Sequence, residues 1–193
     1  LHTDTDEPFD VRRRALEAIG NCGRDGVSEL ILNAYRADEL LMRVSSLFAM
    51  GRSCDDVWLP HIVAELSSDY PEMRYEAARA AGELELRPAL ARLTEIAFED
   101  DREIQEMAIW SLGEIGGKEA NRALTQLAAL ADDTDDDVLA DAIAEAQSVA
   151  TLSGSDLLPL FDFSDNDDDD DEEGFLLSLD ELGDEDDDNF YTA

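Results

Sequence analysis

Val11-Arg12-Arg13-Arg14-Ala15-Leu16-Glu17-Ala18-Ile19-Gly20 superimposes on Met42 to Gly51, Met73 to Gly82 and Ile104 to Gly113 at a constant offset of 31 residues. Gly20, Gly51, Gly82 and Gly113 fall in step. Small or apolar residues recur within each segment at helical spacing. Val11, Ala15, Ala18 and Ile19 become Met42, Ser46, Ala49 and Met50, then Met73, Ala77, Ala80 and Ala81, then Ile104, Ala108, Ser111 and Leu112. Such a stripe marks one face of an amphipathic helix. Its small members admit close helix approach. The glycine behind it suits a helix end, where a left-handed backbone costs glycine little.

A second stripe follows each glycine: Val27, Ile31 and Tyr35; Trp58, Ile62 and Leu66; Ala89, Leu93 and Ala97; Ala120, Leu124 and Ala128. These i, i+4, i+8 sets predict a second helix in every unit. Acidic turns, including Asp69-Tyr70-Pro71-Glu72 and Asp100-Asp101-Arg102-Glu103, lead into the next unit, and Pro8 and Pro71 stand where helices start. A fifth, degenerate unit is expected from Val138 through Ala142 and Ala146, 34 residues after Ile104, with Gln147 in the glycine's place. Leu157, Leu158, Leu160, Phe161 and Phe163 are candidates to cover the open end of the stack. The chain opens on Leu1, which aligns near the close of a preceding second helix, so further repeats are expected upstream in a longer protein.

The expected fold is an all-α, right-handed α-solenoid of about five helical hairpins over residues 1–163, followed by an acidic, largely disordered tail over residues 164–193. The acidic turn, the Val-Arg pair and the alanine-rich stripe ending in Gly resemble the HEAT-like repeat family typified by the phycobilin lyases, over roughly residues 5–150. That resemblance implies an architecture and leaves the activity open, because the family includes bilin lyases, a di-iron hydroxylase of the deoxyhypusine type and many scaffolds. It also implies that the second helices line an inner, concave side. The hydroxylase relatives hold iron through repeated His-Glu pairs. This chain has only His2 and His61, and neither is followed by Glu.

Composition narrows the partners. Asp and Glu number 49 against 14 Lys and Arg, a net charge of −35; residues 164–193 hold 15 of the acids and no base, which leaves −20 on the rest. Phosphate backbones and anionic membrane surfaces are repelled by such a surface, so neither nucleic acid nor membrane is an expected partner. A protein partner is, and a basic one is compatible with this charge. Lys118 stands against 13 Arg, a usage that fits either high-salt adaptation or a GC-rich genome. No apolar run reaches the ~20 residues of a membrane span. Cys22 and Cys54 are too few for a disulfide framework and are expected as buried packing in a cytoplasmic, monomeric protein.

No catalytic or metal-binding residues and no cofactor emerge from the motifs. A phosphate loop ending in Lys-Ser or Lys-Thr and a Gly-x-Ser-x-Gly elbow are both missing, and Asp167 to Asp171 lack the ordered ligand spacing of a calcium loop. Arg12, Arg43 and Arg74 recur in three units, read either as an anion ladder or as ties to acidic turn residues such as Asp10 and Glu72; Gln105 ends the series.

The candidate interaction surface is the row Glu17, Phe48, Arg79 and Trp110, off the main stripe. It is either exposed, with aromatic and Arg anchors, or packed between adjacent first helices. A second candidate is Leu30, His61, Arg92 and Ala123 on the second helices, beside Ala34, Glu65, Ile96 and Leu127. In the tail, Phe175, Leu176, Leu179 and Leu182 form an apolar island between acidic blocks, compatible with a motif that folds on binding, with an autoinhibitory segment or with a solubilising tail. An interaction scaffold or adaptor is the leading functional expectation. The alternatives are a phycobilin lyase-like subunit and an acidic chaperone or nucleic-acid mimic that shields a basic protein.

Overall fold

The computed structural model describes residues 6–98, 101–134 and 136–153. These form α1 (Phe9–Ile19), α2 (Val27–Tyr35), α3 (Leu40–Arg52), α4 (Leu59–Glu65), α5 (Pro71–Glu83), α6 (Leu90–Ile96), α7 (Arg102–Ile115), α8 (Gly117–Thr134) and α9 (Asp137–Ser153). Short 3₁₀ turns at Asp56–Trp58 and Arg87–Ala89 open the second helices of the second and third units. The fold is an all-α solenoid: four hairpins, then α9 as the first helix of a fifth. The proposed end cap from Leu157, the boundary at 163, the acidic tail and its island at Phe175, Leu176, Leu179 and Leu182 lie outside the described residues.

Two layers result. The first helices α1, α3, α5, α7 and α9 pack each on the next, and each second helix leans chiefly on the first helix that follows it. The stripes read from sequence are the core. Every member in the second, third and fourth first helices is buried, as are Ile31, Trp58, Ile62, Leu66, Leu93 and Leu124 of the second helices. In α1, the terminal first helix of the described array, the outer part of the stripe is open: Val11 is 40% exposed and Ala18 also faces out.

The four glycines serve a different purpose from the one their position suggests. Gly51, Gly82 and Gly113 lie inside their helices, and Gly20 follows α1 with an ordinary right-handed backbone, φ −50°. Each is the contact point for the next first helix. A Cβ on Gly20 would stand 2.8 Å from the Ala49 carbonyl oxygen, on Gly51 3.0 Å from the Ala80 Cα, on Gly82 2.9 Å from the Ser111 Cα, and on Gly113 2.9 Å from the Ala146 Cα. Backbone meets backbone with no room for a methyl group. At the third seam the Ser111 hydroxyl adds a bond, lying 2.7 Å from the Ala78 carbonyl across the two helices.

The left-handed turn does recur with the repeat, three residues later. Cys54 has φ 53°, Glu85 φ 50° and Gly116 φ 60°. After α5 the geometry closes as a Schellman motif: Leu86 N–H donates to Ala81 O at 2.9 Å and Glu85 N–H to Gly82 O at 3.0 Å, with Leu86 buried behind it. Placing Cys54 in this turn leaves it exposed, as is Cys22, so neither cysteine is the buried packing expected of it.

The register of the fifth unit is also shifted. Ala146 meets Gly113, the place that Ser111 takes on Gly82, which sets the last offset at 35 rather than 34. The buried row of α9 is therefore Leu139, Ile143, Ala146 and Ala150, while Val138 is 67% exposed. The start of α9 is pinned by Asp136, whose carboxylate accepts the Leu139 N–H at 3.0 Å and receives both Arg102 guanidinium nitrogens, at 2.6 and 3.1 Å. These bonds hold the Asp136 carboxyl below the usual carboxylate range.

Gly113→Ala tests the seam. Alanine is ordinarily worth about 1 kcal/mol over glycine inside a helix, but overpacking against backbone costs about 1–3 kcal/mol. The expected result is a lower urea midpoint, with Gly23→Ala, whose Cβ meets nothing within 4 Å, close to neutral. A raised midpoint for Gly113→Ala would show that the close approach does not constrain the array.

Candidate interaction surface

The row Glu17, Phe48, Arg79 and Trp110 runs along the first helices, and Arg79 meets Phe48 within it. The Ser45 hydroxyl donates to Glu17 Oε1 at 2.7 Å, and Arg13 donates to Ser45 Oγ at 3.0 Å, joining α1 to α3. Arg79 lies over the Phe48 ring, its guanidinium carbon 4.3 Å from the centroid, and donates to the Phe48 carbonyl at 3.3 Å. Glu76 and Glu83 hold the same guanidinium from its own helix. The Arg79 side chain is only 13% exposed, so its donors are spent within the array and Phe48 is covered. Burial pushes the Glu76 carboxyl above its ordinary range, with Arg79 opposing the rise.

Trp110 differs. It rests on Gly82, to whose missing Cβ its Cζ3 would come within 2.7 Å, yet it remains 37% exposed and lines a groove between α7 and α9. Glu106, Glu114 and Glu145 stand along that groove, with Ala142 and Val149 among its apolar lining. A neighbouring cleft across α3, α5 and α7 is lined by Val44, Tyr75, Glu72, Glu103 and Ile104. The first-helix face is thus apolar and acidic together.

The second-helix candidates divide. Leu30, His61 and Arg92 are half-buried, and Ala123 is buried. Their neighbours Ala34, Glu65, Ile96 and Leu127, expected on a partner-facing side, are all buried. The reason is visible at Glu65, which accepts the Tyr35 hydroxyl at 2.6 Å and Arg43 at 3.3 Å and so ties α2, α3 and α4 together. His61 packs edge-on against Tyr35, at 5.2 Å, and Trp58, at 5.7 Å. Arg92 donates to the Leu66 carbonyl at 3.3 Å and to Glu95 at 2.8 Å.

Of the recurrent arginines, Arg43 and Arg74 bond groups on or just after α4. Arg43 takes Glu65, Arg74 donates to the Ser68 carbonyl at 3.0 Å, and Asp10 pairs with Arg13 at 3.5 Å. Gln105, where the charge series stops, keeps the tie by donating to the Ala97 carbonyl at 2.9 Å. Arg74 and Gln105 fasten their helices to the end of the second helix before them, where carbonyls lack intrahelical partners, and Arg43 fastens α3 to the Glu65 carboxylate of α4.

Among the described residues no group of three His, Cys, Asp or Glu is arranged to hold a metal ion, and no helix is long and apolar enough to cross a membrane. Sequence reasoning missed Glu145, Val149 and Ala142 as groove residues because it placed α9 one residue out of phase. The spacing of Leu139, Ile143, Ala146 and Ala150, which puts the larger apolar residues on one stripe, carried the correct register.

Residues 59–147 match the family described as HEAT repeats. Within that stretch the repeats are HEAT repeats. Over 106 residues the chain is 32% identical to deoxyhypusine hydroxylase-B of Oryza sativa subsp. japonica, a match covering 53% of this chain and 35% of the relative. The chain therefore spans about a third of the length of that relative. The likeness to phycobilin lyases in particular has no counterpart in these comparisons.

Burial, and then the hydrogen bond to Glu65, push the Tyr35 phenol up from 10.0 to about 12. A phenol that releases its proton later in the folded state than in the unfolded chain stabilises the fold fully below pH ~10 and loses that contribution as pH rises towards ~12. Tyr35→Phe should remove a phenol titrating near pH 12 from the ultraviolet absorbance titration and flatten the fall of stability across that window. An unchanged titration would show that Tyr35 is not so held.

Proposed function

We propose that this HEAT-repeat array is a non-enzymatic protein-binding module, a scaffold or adaptor whose partner carries basic character and docks on the first-helix face. The observation that carries the reading is Trp110: a large aromatic at 37% exposure, at a groove where every charged lining residue is a carboxylate. Aromatic anchors in pockets with a polar rim dominate protein interfaces. The groove volume of about 120 Å³ is well below the ~300 Å³ at which small-molecule pockets begin. That favours an inserted side chain over a tetrapyrrole.

The same reading has the protein act as a monomer in the cytoplasm, where two exposed unpaired thiols, Cys22 and Cys54, are chemically at home. The relative's name denotes an enzyme. Its His-Glu chemistry is not carried over, because His61 is followed by Ile62 and is engaged between Tyr35 and Trp58.

Affinity capture from native lysate, with the full chain and with residues 1–163, at low and moderate salt, identifies the partner, and titration of the purified pair then tests the surface. Trp110→Ala should weaken binding about tenfold or more, as truncation of an interface anchor does. A partner held equally by Trp110→Ala but lost on deleting residues 164–193, with a steep salt dependence, would move the function to the acidic tail and support a shielding role instead.

A further inference from the structure

Phe48 and Trp110 hold equivalent places two units apart, and the array displays what the first of them binds. Over Phe48 lies the guanidinium of Arg79, delivered by the following first helix and clasped by Glu76 and Glu83. An aromatic face, an arginine and two carboxylates make a complete cation site, satisfied from within the chain.

At Trp110 α9 brings no cation, and Ala142 and Val149 stand at the places of Glu76 and Glu83. The register that seats Ala146 on Gly113 puts Glu145 at the place of Arg79. Glu114 stands one turn on from Trp110, where Arg52 stands relative to Phe48. Glu106, one turn back, already receives Arg102 at 2.6 Å, whereas neither Glu114 nor Glu145 has an ion-pair partner among the described residues. Carboxylates left together beside an aromatic face repel one another until a cation enters.

We propose that the α7–α9 groove is a receptor for an arginine side chain of a partner protein, which stacks its guanidinium on Trp110, bonds Glu114 and Glu145 and lays its aliphatic stem over Ala142 and Val149. This rests on the reading of the array as a protein-binding module. Arginine is preferred to lysine because its planar, weakly hydrated fork stacks on an indole and reaches two carboxylates at once. The chain's own tail cannot supply the arginine, since residues 164–193 contain no Lys or Arg. A second copy is disfavoured by the −35 charge that each copy carries.

The test titrates the full-length protein with three otherwise identical helical peptides, each bearing beside a leucine a single Arg, Lys or citrulline. The indole N–H resonances of Trp58 and Trp110 report binding and are assigned with Trp110→Phe. The Arg peptide should move the Trp110 resonance at saturation, the Lys peptide should bind several-fold more weakly, and the uncharged citrulline peptide should leave it still. Glu114→Gln with Glu145→Gln, both off the buried core, should weaken the Arg peptide about tenfold without moving the urea midpoint.

Equal binding of the citrulline peptide, an unmoved Trp110 resonance, or full affinity in the double Gln variant would each overturn the proposal. A captured partner that binds wild type and the double Gln variant alike would sink the arginine receptor and leave the protein-binding reading standing. Arg-peptide binding at Trp110 with no protein captured would do the reverse.

Discussion

The array depends on a seam where two helix backbones touch. Gly20, Gly51, Gly82 and Gly113 each remove a side chain at the point where Ala49, Ala80, Ser111 or Ala146 of the next first helix arrives. The approach is possible only with small residues on both sides, and it constrains the rotation of each first helix, because a helix turned back by one residue would present Phe48, Arg79, Trp110 or Glu145 there. Interior packing tolerates little excess volume. The buried stripes on both layers follow once that rotation is set, as do the ties from Arg74 and Gln105 to the end of the preceding second helix and from Arg43 to the following one.

The repeat period, the two stripes and the alternation of first and second helices were legible because hydrophobic periodicity reports directly which face is buried. What the glycines do was not. A glycine near the end of a helical stripe looks like a cap, and only the neighbouring helix reveals that its missing side chain makes room for a contact. The true left-handed positions, Cys54 and Glu85, carry no compositional mark, and only Gly116 among them announces itself. Cys54 was accordingly taken for core when the turn places it at the surface.

The candidate surface was legible in part. Its row was visible by its offset, but the division of labour within it depends on neighbours in space. Arg79 is drawn onto Phe48 and held by Glu76 and Glu83, while Trp110, lacking an arginine from α9, stays open. Of the second-helix row, Leu30, His61 and Arg92 are half-buried, while the neighbouring Glu65 is turned inward to Tyr35 and Arg43. Polar residues in a repeat are ambiguous from sequence, since the same side chain serves a neighbouring unit or a visitor.

The shifted last unit has a wider implication. Its offset is 35 residues where the others are 31, yet it joins its neighbour through the same glycine and small-residue contact. The extra length lies in α8, which runs 18 residues where α6 runs 7, and the joint is conserved in form. In a nearest-neighbour architecture the joints set the coupling between units. Such a protein can therefore lengthen a second helix, or exchange units of unequal length, without disturbing the stack. It behaves as a chain of interchangeable couplings, and its natural unit of count is the joint.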